Sequence, residues 1–407
     1  MSYNKHVVRQ KISRQSFPIG LLIITTIIFL LSFGPYLGLH KLTTLCLIPL
    51  LFIIALKHDL KTITENKREF LLILLILIIS VSTAFYYISY SDFTSGLNRL
   101  LGAVLISFVP IALNNRQDYT TYFHLGYLLA TISLIVIMYL NGNFGFTNFA
   151  SKVDYRDRFL LNANAYSYYS FLANFSLFYL YQKYKNWFVQ LLLIVIPILF
   201  LIISFVTQSR SGLLLIILIN VCFWLFINKA QNPTKVQKIT RNLGIAVVFI
   251  FISIQFVKTY ENSRIKNRVD STTTRVDARE LLIIDSIDAF SKHPIFGVGL
   301  DQLPYYTRFG QYSHNSYIEI IAEQGIFGGV LLILLFGFPL RQSWLLLVKH
   351  PKNNVIKLNF LFFITFYIFN NFYPFYKYAF SMLYFFLVIS IQYQVNKSII
   401  TSKTGEL

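Results

Sequence analysis

Three short stretches of the chain bring together residues suited to handling a charged leaving group. The first is Thr207-Gln208-Ser209-Arg210-Ser211-Gly212, where an arginine sits between two apolar runs. A guanidinium there either binds phosphate oxygens through its planar fork or simply snorkels from a helix end. The second is Arg279, which leads an amphipathic stretch and has Asp277 and Glu280 as ready partners for an ordinary surface ion pair. The third is Ser313-His314-Asn315-Ser316, followed by Glu319, Glu323 and Gly325. An imidazole titrates near neutral pH and can act as a general base, or it can be purely structural. Nothing around His314 has the spacing of a metal site, and no cofactor is expected.

The elements that must position these residues are membrane helices. Of the 407 residues, 55% are apolar and only 13% are charged, about half the charged share of a typical soluble domain. That much apolar surface has to face lipid. Runs long enough to cross a bilayer fall at 18–37, 42–56, 70–89, 97–113, 120–140, 165–181, 188–206, 213–227, 243–257, 326–347, 355–372 and 378–393. The expected fold is therefore all-α, a single polytopic bundle over 1–407 with about 12 transmembrane helices. The two cysteines, Cys46 and Cys222, lie inside apolar runs and form no disulfide framework.

The net charge of +19 does not read as a nucleic-acid surface, because Lys and Arg occur in short patches between apolar runs. They alternate instead, as orientation signals do. With the N-terminus inside, Lys57, Lys61, Lys67 and Arg68 fall inside, and so does the group Lys229, Lys235, Lys238 and Arg241. The short outer connections are nearly bare, with Lys41, Arg99 and Lys377 flanking spans singly. Both termini are then cytoplasmic in a multi-pass protein of the cell membrane. Two longer outer segments remain. Residues 141–164 carry Lys152, Arg156 and Arg158; residues 258–325 carry eight basic and nine acidic residues. The second should be helical and extracytoplasmic. Thr272–Thr274 or Asp277 can cap a helix, with Glu280 completing a capping box. Its apolar face is set by Ile283, Ile287 and Phe290. Pro294, Gly297 and Gly299 then turn the chain, Ser313 or Asn315 caps a second helix, and Gly325 interrupts it.

Taken in order, the motifs read S-R-S-G, then R-(x)13-H-P-(x)2-G-x-G, then H-N-(x)9-G-(x)2-G. This order resembles the O-antigen ligase/polymerase family of bacterial polysaccharide assembly, the WaaL/Wzy group. The matching stretches are Ser209 to Gly212, Arg279 through His293-Pro294 to Gly297 and Gly299, and His314-Asn315 through Gly325 to Gly328. Asn162-Ala163-Asn164 resembles the family's N-P-N stretch with the proline missing.

The resemblance implies a GT-C-type glycosyltransferase that needs no metal and inverts the anomeric carbon. Its donor would be a glycan on undecaprenyl diphosphate at the outer membrane face. Arg210 and Arg279 would hold the diphosphate and His314 would be the base. Asn315, Asn164, Arg156 and Arg158 would contact substrate. Tyr305, Tyr306, Phe309 and Tyr312 either stack on sugars or pack the loop. Expected partners are the carrier-linked glycan, membrane lipid, and a chain-length regulator or flippase. The product would be capsule, exopolysaccharide or O-antigen, made by a polymerase; a ligase moving glycan to a lipid or protein is the alternative within the class. A lipid-linked oligosaccharide flippase is the alternative from another class, but such transporters usually carry acidic or basic residues deep in their spans; here mid-span acids are absent, and the candidate polar residues gather on one outer face.

Overall fold

The computed structural model describes residues 16–39, 42–58, 67–85, 87–113, 117–142, 163–207, 209–228, 257 and 278–404. Within them the regular structure is helical. The helices are α1 (Ser16–Phe33), α2 (Ile48–His58, entered through a π turn), α3 (Lys67–Ser82), α4 (Tyr90–Ala112), α5 (Gln117–Leu140) and α6 (Ala163–Tyr184). They continue as α7 (Trp187–Val206), α8 (Arg210–Cys222), α9 (Ala278–Lys292), α10 (Ser316–Lys349), α11 (Asn354–Phe369) and α12 (Ala379–Thr404). Each expected span coincides with a described helix except 243–257, which lies outside the described residues but for Val257.

Six of these helices are long and apolar enough to cross a membrane, among them α4, α7 and α10. A helix meets that need because all its backbone groups are paired within the segment. The chain is thus a polytopic helical membrane protein. α6 is a full-length helix that falls short on apolarity alone. Its Ser167, Ser170, Asn174 and Ser176 are fully buried in the bundle. It is surrounded by protein rather than lipid, which removes the demand for an apolar surface. α7 shows the opposite case, with Leu191, Ile194, Val195 and Ile198 all exposed on its outer side.

α6 and α12 form the centre. α12 packs on α4, and α6 packs on α5, α7, α8 and α11. Aromatic rings fill the seams, as where Phe178 of α6 stacks on Phe223 with centroids 4.0 Å apart. α10 packs on α3, α11 and α9.

The short helix α9 sits where the sequence places it, but on a different face. Leu282, Ser286 and Ala289 are buried, whereas Ile287 is 47% exposed. The small side chains let α9 close onto α10, and the Ser286 hydroxyl donates back to the Leu282 carbonyl at 2.6 Å. Asp285 instead faces Arg308, which clasps it through Nε and Nη2.

Candidate functional site

The connection from α9 to α10 is knotted to the first turns of α10 by its own backbone. Val298 N donates to Ala322 O at 2.8 Å, Gly299 N to Glu323 O at 2.9 Å, and Ile326 N to Pro294 O at 2.9 Å. The two motif glycines at this crossing have no room for a side chain. A Cβ on Gly297 would run into the backbone of Glu323, and one on Gly325 into that of Ile295. Both also have positive φ, +72 and +65, where glycine is strain-free. Gly325 breaks the helix that Asn315 caps, so α10 has a short leading piece and a long spanning piece.

From this knot the chain reaches across the bundle. Leu300 N donates to Thr83 Oγ1 at 3.1 Å, and Gln302 Oε1 accepts from the amides of Ile88 and Ser89, both at 2.8 Å. Between them Asp301 adopts φ +55. Its carboxylate accepts from Lys377 Nζ at 2.9 Å on one oxygen and pairs with Arg99 Nη2 on the other. Gly96, one turn before Arg99, makes room for it, since a Cβ there would overlap the Asp301 carboxylate. Lys377 also donates to Glu319 Oε1 and Glu323 Oε2, each at 2.7 Å. Five charged side chains from four parts of the sequence thus converge at one end of the bundle. Burial alone would raise the Asp301 pKa, but Lys377 and Arg99 hold it below the usual carboxylate range. Burial opposes the charge on Lys377, yet Asp301, Glu319 and Glu323 keep its pKa well above the ordinary lysine value.

A cavity of about 550 Å³ opens beside this cluster, lined by Arg99, Asn164, Asp301, His314, Glu319 and Lys377 among others. His314 has φ +57, a conformation that costs a non-glycine residue energy and persists only where its neighbours impose it. They do so on both sides. Ser313 Oγ accepts from Asn315 N at 3.3 Å, and Asn315 Oδ1 caps α10 by accepting from Tyr317 N and Ile318 N. Ser316 N and Oγ then bond Asn370 O and Oδ1, both at 2.7 Å. The Asn315 side chain is occupied in this cap and in a 3.3 Å bond to Asn371. Tyr312 also lines the cavity, and burial, aided by Asp301, pushes its pKa up to about 12.

The structure therefore brings His314, Asn164 and Tyr312 together in one cavity. Arg210 and Arg279 are not among its lining residues. Arg210 opens α8 behind the cap residue Ser209, and Gly212 is pressed on Ser167, one turn from Asn164. Arg210 thus lies at the same end of the bundle as the cavity. Arg279, half-buried, lies in the first turn of α9. Arg156 and Arg158, with Asp277 and Thr272–Thr274, lie outside the described residues. Tyr305, Tyr306 and Phe309 are on the surface, and the Tyr305 hydroxyl donates to Asp92 at 2.6 Å.

Arg99, Asp301 and Lys377 were not candidates from sequence. The available signal was a single cation at the end of a span in an otherwise bare outer connection, together with Glu319 and Glu323 four residues apart at the head of an apolar helix.

Residues 195–333 match the family model of the O-Antigen ligase. The match runs from within α7 to within α10, takes in all three motifs and supports the O-antigen ligase/polymerase family. No curated protein matches the chain. Asp301, Glu319 and Glu323 fall inside the O-antigen ligase segment, and their cationic partners Arg99 and Lys377 fall outside it.

Proposed function

We propose that this protein is an inverting, metal-independent glycosyltransferase of the GT-C type. It takes glycan repeat units from undecaprenyl diphosphate at the outer membrane face. The observation that carries this reading is His314, a residue of the segment that matches the O-antigen ligase model, held at φ +57 on the wall of a cavity of about 550 Å³. An acceptor hydroxyl in that cavity loses its proton to the imidazole as its oxygen bonds to the anomeric carbon. The bond from that carbon to phosphate breaks, and its electron pair leaves with the diphosphate. Arg210 and Arg279 stabilise the departing charge. Both termini are cytoplasmic in this reading, and residues 258–325 are outside.

Within the class we assign a polymerase. A ligase that accepts a phosphorylated lipid core needs further cations on the acceptor side. The outer segment 258–325 instead nearly balances its eight basic and nine acidic residues. Purified protein in vesicles, given only carrier-linked repeat units, should yield a ladder of longer glycans still on the carrier. Transfer only after a separate acceptor lipid or protein is added would replace the polymerase with a ligase. No transfer in either case would remove the glycosyltransferase reading.

A further inference from the structure

The stretch from His293-Pro294 to Gly297 and Gly299 takes no part in the reaction described above, yet it carries bulky apolar side chains on the surface. Ile295 is 54% exposed and Phe296 53%. The turn that holds them is pressed against the point where the long piece of α10 begins. Pro294 O accepts from Ile326 N at 2.9 Å, and a Cβ on Gly325 would strike the Ile295 carbonyl. Backbone thus meets backbone there, and Ile295 and Phe296 are left on the outside.

What lies outside is set by α10. Its exposed apolar residues Ile326, Phe327, Val330 and Ile333 form one stripe at helical spacing, on a helix long and apolar enough to cross a membrane. On its other side Leu332, Leu335 and Phe336 are buried. The exposed stripe therefore faces lipid. Phe296 adjoins the first turn of that stripe, with its ring centroid 6.3 Å from that of Phe327, itself 52% exposed. The hydrocarbon that covers Phe327 reaches Phe296 as well. A groove of about 370 Å³ lies at the turn, lined by His293, Ile295, Phe296, Val298 and Tyr306 among others. Tyrosine suits the membrane–water boundary because its ring is apolar and its tip polar. The charged surface ends just ahead of the turn, where Asp288 and Lys292 pair at 2.6 Å at the end of α9.

We infer that the turn from Pro294 to Val298 is a membrane wedge, with Ile295 and Phe296 seated among the lipid chains beside the first turn of the long piece of α10. Its partner is the hydrocarbon of the bilayer, to which the groove also opens. Apolar side chains grouped on a surface mark such contacts, and an element of this kind sits at the boundary between headgroups and acyl chains. The inference stands apart from the glycosyltransfer reading. Val298 N and Gly299 N are bonded to the carbonyls of Ala322 and Glu323, one turn beyond the cavity residue Glu319. The wedge therefore ties the cavity wall to the membrane surface.

The test reads depth without turnover. The full chain with Trp187→Phe, Trp224→Phe and Trp344→Phe carries one reporter, Phe296→Trp, in phosphatidylcholine vesicles. Phe327→Trp in the same background is the reference on the lipid-facing stripe. Lipid brominated in the upper part of its chains should quench Phe296→Trp at least about half as strongly as Phe327→Trp, as for a side chain sunk into the headgroup–acyl boundary. Aqueous iodide should quench it at least about fivefold less than free N-acetyltryptophanamide, because an ion is excluded from hydrocarbon. A nitroxide on Ile295→Cys, in a chain with Cys46→Ser and Cys222→Ser, should meet oxygen more often than a water-soluble nickel chelate. This second reporter keeps the test open if the tryptophan variant fails to insert. Iodide quenching equal to the free reference, without quenching by bromolipid, would put the turn in water and overturn the inference. Protection from both quenchers would mean that protein covers the turn, and would overturn it equally.

Discussion

Lys377 and Glu323 meet 2.7 Å apart with side-chain exposures of 2% and 0%, joining the lead-in to α12 to the head of α10. Burying two charges is costly unless each finds its partner, and removing one partner strands the other. Lys377→Met should therefore destabilise the protein by about 3–5 kcal/mol, the usual penalty for breaking a buried pair. Thermal unfolding in detergent measures it. Adding Asp301→Asn and Glu323→Gln to Lys377→Met should recover part of the loss, and no recovery would mean that the lysine acts through its packing instead.

Asp301 should make an acid-side contribution. Its folded pKa is depressed by Lys377 and Arg99, against the burial that opposes it. The stability it adds is present above the unfolded aspartate value of about 3.9 and is lost as pH falls through the lower folded value. Stability measured from pH 5 downward should drop in the wild type. The drop should be shallower in Asp301→Asn, which starts from a lower plateau.

Gly325→Ala probes the knot between the loop and α10. The substitution combines a positive φ with a collision against the Ile295 backbone, so it should cost more than about 1 kcal/mol. Limited proteolysis should show faster cleavage between 293 and 315. Gly337→Ala, where a Cβ meets nothing within 4 Å, serves as the control and should leave the cleavage rate unchanged.

The proposed chemistry separates His314 from the two arginines. His314→Ala should lower turnover by about 10²–10⁴-fold and remove the rising limb of the pH–rate profile, with donor binding retained. Arg210→Ala and Arg279→Ala should abolish transfer in a protein that still inserts. Lysine should rescue either poorly because it lacks the planar fork. Full activity of Arg279→Ala in purified protein would take that residue out of the mechanism.

Much of the framework was legible because membrane helices are written in long apolar runs. The break at Gly325 and a cap at Ser313 or Asn315 were also legible, since both are local, and the structure selects Asn315. What the sequence did not show was the cluster at Asp301. It joins residues 99, 301, 319, 323 and 377, and pairing across such separations leaves no periodicity to read. The face of α9 was misread for a related reason. Hydrophobicity pointed to Ile283 and Ile287, but closeness to α10 selected the small Ser286 and Ala289. The aromatic residues between α9 and α10 also divided in a way spacing does not reveal, with Tyr312 in the cavity and Phe309 on the surface.

The ionic cluster also limits how freely the family segment can be exchanged. Residues 195–333 supply three acids whose cations, Arg99 and Lys377, are encoded on either side of the segment. A chimaera that transplants 195–333 alone into an unrelated bundle would import surplus buried acid with no counterion waiting for it. The portable unit is the segment together with the Arg99 stretch of α4 and the lead-in to α12 that carries Lys377, so swaps should be cut outside both.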